Sequence, residues 1–402
     1  MKVLLINSFF YNGGSTGRII QELYNYINAN GDEAFIAYGL GRGERIIDKT
    51  HIYRFEHLVT KKLGGFQARL FGDHGFHNSL ATSRLCKWIM DIQPDIIHLH
   101  NLHGSYVNVG MLFSCLKKLN KPVVWTLHDC WPFTGYCAHY SYPYCGKWKT
   151  GCSNCEHLDK YPHTYFRDNS RNNYVWKRKI FNSLKNLTIV TPCEWLKKEV
   201  EQSFLKKHEV KVINNGIDLS VFKPTLSTFK LDHNIDKMLL AVALPWSDSK
   251  GLQYLIKIAK AIRGTCWKLV VVGKMEEKGL KQESNVVWVP HTNNVGEMAE
   301  MYSEADVFIN PTLEDTFPTV NIEAMACGTP VVTFDTGGSK EELAEETGAV
   351  VPKGDWKAML ENARRMEKKG MEAACIDRAK QMYNKSKSAE EYLRLYLSLA
   401  SI

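Results

Sequence analysis

Residues 306–334, DVFINPTLEDTFPTVNIEAMACGTPVVTF, read as one strand, loop, helix and strand in succession. DVFIN at 306–310 is a short apolar run, and PVVTF at 330–334 is another. Between them Pro318 suits the first turn of a helix running to about 326, and Gly328 suits its C-terminal stop. Runs that are apolar throughout, instead of alternating, belong to strands buried on both faces of a parallel sheet covered by helices. This stretch is therefore a βαβ unit.

The same grammar extends in both directions. Strand candidates lie at 3–7, 35–38, 95–99, 122–127 and 187–191, and a second set at 238–244, 267–273, 286–289, 306–310 and 330–334. Helical periods fall between them, as in Ile19, Ile20, Leu23, Ile27 and in Leu252, Leu255, Ile256, Ala259. NNGIDLSVFKPTLSTFKLDHNID separates the two sets with turn residues and little periodicity. The expected fold is α/β, two doubly wound Rossmann-like domains facing a cleft. They span 1–213 and 214–383, with a C-terminal helix at 384–402 packing back on the first.

A chain of 402 residues suits two domains of ~200 residues each. It holds 44% hydrophobic and 23% charged residues, which excludes a disordered chain. No apolar run reaches membrane-spanning length and the start MKVLLINSFF lacks signal-peptide features, so a cytoplasmic location is expected. The net charge of +8 fits an anionic partner, but charge alone specifies no chemistry. A nucleic-acid-binding role is disfavoured because the basic residues are scattered.

Ligands of doubly wound sheets sit beyond the carboxyl ends of the strands. After the first strand comes YNGGSTGRI, where Gly13 and Gly14 let backbone approach a phosphate at a helix N-terminus. The glycine spacing does not fit the dinucleotide fingerprint. In PWSDSKGLQYLIKIAKAI, Lys250 precedes an amphipathic helix whose dipole can help it hold a diphosphate. Asp315 lies in the loop before the 318–326 helix, and Glu323 lies ~7 Å along its axis. A diphosphate at that helix N-terminus would repel a carboxylate, so the two acids are read as acceptors for neutral hydroxyls on either side. That describes a nucleotide sugar.

LEDTFPTVNIEAMACGTPVV followed by TGGSKEE resembles the signature of retaining glycosyltransferases of family 4, which have the GT-B fold. SKGLQYLI resembles their diphosphate motif and VKVINNGIDLSVF their interdomain stretch. PDIIHLHNLHG and VVWTLHDCWPFTGYCAHYSYPYCGKWKTGCSNC resemble the bacterial capsule, exopolysaccharide and colanic acid branch. The resemblance implies that Glu323 binds the donor ribose and Asp315 the transferred sugar. It also implies that the amides of Phe317, Pro318, Thr319 and Val320 meet sugar and phosphates, that Lys250 neutralises the leaving diphosphate, and that His128 sits under the sugar. (Pro318 itself brings ring and carbonyl, having no N–H.) Two departures stand out. Asp315 replaces the family's usual Glu, and Pro245 occupies the slot of a phosphate-binding Arg, leaving Trp246, Ser247 and Arg18 to complete the donor site. The implied activity is retaining, metal-independent transfer of a hexose-type sugar, UDP-linked by preference, with no catalytic cofactor. The acceptor expected is a saccharide, lipid-linked, of surface polysaccharide biosynthesis. A nucleotide-sugar epimerase or a phosphorylase on the same fold is the alternative, the latter requiring a lysine-bound pyridoxal phosphate.

Four of the eleven cysteines, Cys137, Cys145, Cys152 and Cys155, crowd into one loop and end in Cys-x-x-Cys. In a reducing compartment this spacing favours a structural zinc site over disulfides, with free thiols as the alternative. HLVTKKLGGFQARLFGDHGF mixes Leu58, Leu63, Phe66, Leu70 and Phe71 with Lys61, Lys62 and Arg69. It suits peripheral docking on an anionic membrane face, or a core helix with a solvated basic side.

Overall fold

The computed structural model describes residues 1–10, 14–40, 50–275, 280 and 283–401. Two units are resolved within it, Met1–Asn214 with Ser388–Ile402, and Asn215–Lys387. Each is built on its own parallel sheet.

The first sheet has seven strands: β1 Lys2–Phe9, β2 Glu33–Leu40, β3 Ile52–Arg54, β4 Ile96–Leu99, β5 Val123–Thr126, β6 Leu187–Thr191 and β7 Glu209–Val212. They run in the order β3-β2-β1-β4-β5-β6-β7, parallel throughout. The second has six: β8 Lys237–Val242, β9 Trp267–Val272, β10 Val286–Val289, β11 Val307–Asn310, β12 Val331–Phe334 and β13 Gly348–Val351, in the order β10-β9-β8-β11-β12-β13. It too is parallel. The order reverses between β1 and β4 in one sheet and between β8 and β11 in the other, which opens a crevice at the carboxyl ends of those strands.

The central strands β4, β5, β6, β11 and β12 are buried at every residue, which is why they read as unbroken apolar runs. In the first unit Val3, Leu5, Ile36, Ile96 and Val124 pack against Ile20, Leu23 and Ile27 of the helix Gly14–Ala29. The helix Lys385–Ala400 adds Ala389, Tyr392, Leu395 and Tyr396 to the same core. Its tyrosines also meet polar groups there. Tyr396 Oη lies 2.6 Å from His98 Nδ1 and Tyr392 Oη 2.9 Å from Thr126 Oγ1.

The helix Leu58–Phe71 departs from the core-helix alternative. It buries its small residues, Gly64 and Ala68, and exposes Val59, Leu63, Phe66 and Phe71. Close packing explains the inversion, because a Cβ on Gly64 would come within 2.0 Å of Asn78 Oδ1.

Candidate active site

In the second unit three loops leave the carboxyl ends of β8, β11 and β12 and are knitted together. Leu313 N–H donates to Ser249 O at 2.8 Å, Thr336 Oγ1 to Thr312 O at 2.9 Å, and Gly338 N–H to Thr316 O at 2.8 Å. Two glycines permit that approach. Gly251 has φ +83° and a Cβ there would lie 2.0 Å from Pro311 O; Gly337 has φ +56° and its Cβ would lie 1.9 Å from Asp315 O. The loop carrying Asp315 is therefore clamped from both sides.

Lys250 and Asp315 come together across the switch point, with Lys250 Nζ donating to Asp315 Oδ2 at 2.6 Å and reaching Glu314 O at 3.5 Å. The helix beside them is Thr319–Ala326, with Pro318 at its N-cap, one residue outside the expected start. Its C-cap is Cys327, followed by Gly328 at φ +80°. Asn321 N–H is spent on Pro318 O, so the amides of Thr319 and Val320 open the helix. All residues from Asn321 to Ala326 are buried, which leaves the helix without an apolar stripe.

Glu323 is only 7% exposed, and its Oε2 accepts from the Tyr302 hydroxyl at 3.1 Å. Phe317 is buried with its ring against Tyr383. Trp246 is buried and donates its indole N–H to Val272 O at 2.9 Å, so it offers a ring and no donor. Ser247 is exposed, its Oγ 3.1 Å from Ser249 Oγ.

Behind the helix lies a relay that sequence reasoning missed. Asn310 Nδ2 donates to Asn321 Oδ1 at 2.9 Å, and Asn321 Nδ2 donates to Glu342 Oε2 at 2.7 Å. Glu342 is fully buried. Burial pushes its carboxyl well above the ordinary range, opposed by the Asn321 hydrogen bond and reinforced by the charges of Asp315 and Glu341. Asn321, between the two signature acids, was the available signal.

In the first unit a cavity of about 830 Å³ opens at the β1/β4 switch point. Its wall includes Gly14, Ser15 and Thr16 at the start of Gly14–Ala29, together with Lys61, Lys62 and Arg69. Gly14 has φ +77° with open space around it, Arg18 is exposed on the same helix, and Gly13 lies outside the described residues. His103 on this wall was also missed. Its Nε2 lies 2.7 Å from Asp129 Oδ2 and its Nδ1 3.0 Å from Tyr161 Oη. Burial works to raise the Asp129 carboxyl, but the charge and hydrogen bond of His103 outweigh it and leave it at about 2.

His128 follows β5, its Nε2 3.1 Å from His100 Nδ1, and burial lowers it to about 4 against the pull of Asp129. It is a neutral ring at physiological pH. Cys137, Cys145, Cys152 and Cys155 line a separate cavity of about 200 Å³ in the same unit. Among the described residues no three histidine, cysteine or acidic side chains converge closely enough to hold a metal ion. Nor is any described helix long and apolar enough to cross a membrane.

Residues 16–221 match the family model described as Glycosyltransferase Family 4, and residues 236–368 match Glycosyl transferases group 1. The chain is 24% identical over 416 residues to the putative colanic acid biosynthesis glycosyl transferase WcaC of Escherichia coli K12, covering 99% of this chain and all of that one. It is 30% identical over 200 residues to the capsular polysaccharide biosynthesis glycosyltransferase CapM of Staphylococcus aureus, covering 44% and 51%. Among solved structures, a sucrose-phosphate synthase from Thermosynechococcus elongatus superposes with a TM-score of 0.71 at 17% identity, over 100% and 99% of the chains. Anabaena HepE in complex with UDP-glucose gives 0.67 at 16%, over 99% and 100%. The two parallel-sheet domains are thus of the GT-B type.

Proposed function

The chain belongs to glycosyltransferase family 4, and from that premise we propose that it moves a hexose-type sugar from a nucleoside-diphosphate sugar, UDP-linked by preference, to a lipid-linked saccharide in surface polysaccharide biosynthesis. The observation that carries the donor half is the pairing of Lys250 with Asp315 beside the opening turn of Thr319–Ala326. A cation and a helix N-terminus stabilise the charge that develops on a leaving diphosphate. Asp315, drawn to Lys250, is placed to take sugar hydroxyls, while Glu323, set further along the helix, takes the ribose. Thr319 and Val320 offer amides, and Phe317, Pro318, Trp246 and Ser247 shape the walls. The preference for UDP draws support from HepE, solved with UDP and with UDP-glucose.

On this reading transfer retains the anomeric configuration, the leaving phosphate taking the acceptor proton on the same face. His128, neutral, is left without a role as a general base. Lysine and helix amides meet the diphosphate charge, so turnover is expected to be equal with and without added magnesium.

The acceptor half rests on the first unit. Lys61, Lys62 and Arg69 line the 830 Å³ cavity, and Val59, Leu63 and Phe66 form an exposed stripe at helical spacing on the same helix, with Lys62 at its flank. Basic side chains beside an apolar stripe fit an anionic lipid surface carrying a diphosphate-linked saccharide. The surface named is the cytoplasmic face of the membrane, and WcaC and CapM, named for colanic acid and capsule synthesis, support the pathway.

Thermal-shift screening against UDP, GDP and their sugars, followed by turnover with any stabilising donor, tests the reading. A UDP-sugar should stabilise the protein and be turned over with the product's anomeric proton coupling matching the donor's. Stabilisation by no nucleotide sugar, or an inverted product, would refute it.

A further inference from the structure

The long connection from β5 to the helix Ser170–Phe181 carries little regular structure, only two short 3₁₀ turns and an isolated Ser141–Tyr144 bridge. Connections of this length need something to order them. Part of the answer is aromatic: Trp148 is buried against Phe133 and Tyr140. The rest of the loop folds around the small cavity walled by Cys137, Cys145, Cys152 and Cys155, and none of the four is in a disulfide.

Three features around those sulfurs suit thiolates. Gly135 N–H donates to Cys152 Sγ at 3.1 Å, and the backbone of His157 hydrogen-bonds to Cys155. Gly135 is itself fixed there, since a Cβ on it would meet Ser170 O at 2.4 Å and Cys152 Cβ at 2.5 Å. The third is Lys177, fully buried beside the start of the same loop. Its Nζ donates to Trp131 O at 2.8 Å and Thr134 O at 3.2 Å and lies 3.5 Å from the centroid of the Trp131 ring. No carboxylate is among those partners, and the nearby groups able to carry opposite charge are Asp129 and, once deprotonated by a metal, Cys137 and Cys152. A buried ammonium costs several kcal/mol unless opposite charge lies close.

We propose that these four cysteines form a structural zinc site whose charge Lys177 offsets. Four thiols and one Zn²⁺ give a tetrathiolate complex of charge −2 and release four protons. Lys177 and the two backbone donors answer that charge. The sulfurs line the cavity without converging, so the metal draws the thiols into the space they already surround, to about 2.3 Å from its centre. The site is closed at four ligands and takes no part in the chemistry. Its effect is mechanical. Cys155 N–H donates to Asp168 Oδ2 at 2.8 Å, Asp168 Oδ1 accepts from Ser170 N–H, and the intervening chain supplies Tyr161, Pro162 and His163 to the 830 Å³ cavity. The metal thereby holds one wall of that cavity.

The test is metal analysis of the full chain purified under reducing conditions without chelator, together with cobalt(II) reconstitution of the wild-type protein after metal removal. The expected results are about one zinc per chain and, with cobalt, the intense sulfur-to-metal absorption of a tetrahedral thiolate site. The double substitution Cys152→Ser with Cys155→Ser should abolish both, whereas Cys86→Ser should retain them. A wild-type protein with neither zinc nor a cobalt-thiolate spectrum overturns the proposal, and so does zinc retained in the double variant. The cobalt spectrum of the wild type decides the matter even if the variant fails to fold, and none of these readouts depends on the donor assignment.

Discussion

Replacing Lys250 by Met separates a binding role from a structural one. The ion pair with Asp315 is short, but the two side chains are 35% and 24% exposed. Pairs this accessible contribute ~0–1 kcal/mol to folding, so the variant should melt no more than ~4 °C below the parent. Binding should respond differently. A charge-assisted hydrogen bond to a diphosphate is worth ~1.5–3 kcal/mol, which converts to a ~10- to 150-fold weaker dissociation constant for the nucleotide. Calorimetric titration of UDP into both proteins, alongside thermal melts, reads the two quantities independently. Raising the salt should weaken the parent more than the variant, because the lost contact is electrostatic. Unchanged UDP affinity in Lys250→Met would refute the phosphate assignment. A collapse in melting temperature would show instead that Lys250 is a fold residue.

Burial holds His74 at about 4, below its unfolded value of about 6.5. The unfolded chain then binds the extra proton as pH falls through that window, so stability is full above it and drops by ~2 kcal/mol at pH 5 from His74 alone. His98 and His100, lowered in the same direction by burial, add to the loss, and melts recorded from pH 7.5 to 5 that stay level would contradict this. Gly251→Ala forces a side chain into Pro311 O at a left-handed φ and should destabilise the second unit by more than ~1 kcal/mol while weakening nucleotide binding; denaturant titration checks it. Leu63→Ser with Phe66→Ser should abolish sedimentation with anionic vesicles and leave UDP affinity unaltered; equal vesicle binding would remove the docking assignment.

The central strands were legible because burial on both faces leaves an apolar signature that no solvated residue interrupts. The three strands not anticipated, β3, β7 and β13, all lie at sheet edges. β7, Glu209–Val212, alternates charged and apolar residues with no fully buried position, and β13 opens on a glycine. These three strands are incompletely buried, so their apolar runs are short or interrupted. Within the site, proline and glycine punctuation located the helix to within a residue. The contacts were a different matter. That Lys250 would meet Asp315, sixty-five residues away in sequence, depends on β8 and β11 being neighbours, and no local pattern encodes that. The helix Leu58–Phe71 had a readable composition, yet which side faced inward was decided by Gly64 against Asn78 and not by its large apolar residues. His103 and Asp129 follow β4 and β5, so their pairing likewise waited on strand order.

A second unit that holds a nucleoside-diphosphate sugar with its ribose on Glu323 must lose nucleotide affinity when that carboxylate is removed. Titrating UDP into the wild-type protein and into Glu323→Ala under identical conditions tests it most directly. Saturable binding to the wild type and at least a ~10-fold loss in the variant are expected, with the far-ultraviolet spectrum of the fold preserved. Equal affinity in the two proteins, or no binding of UDP to the wild type, would contradict it.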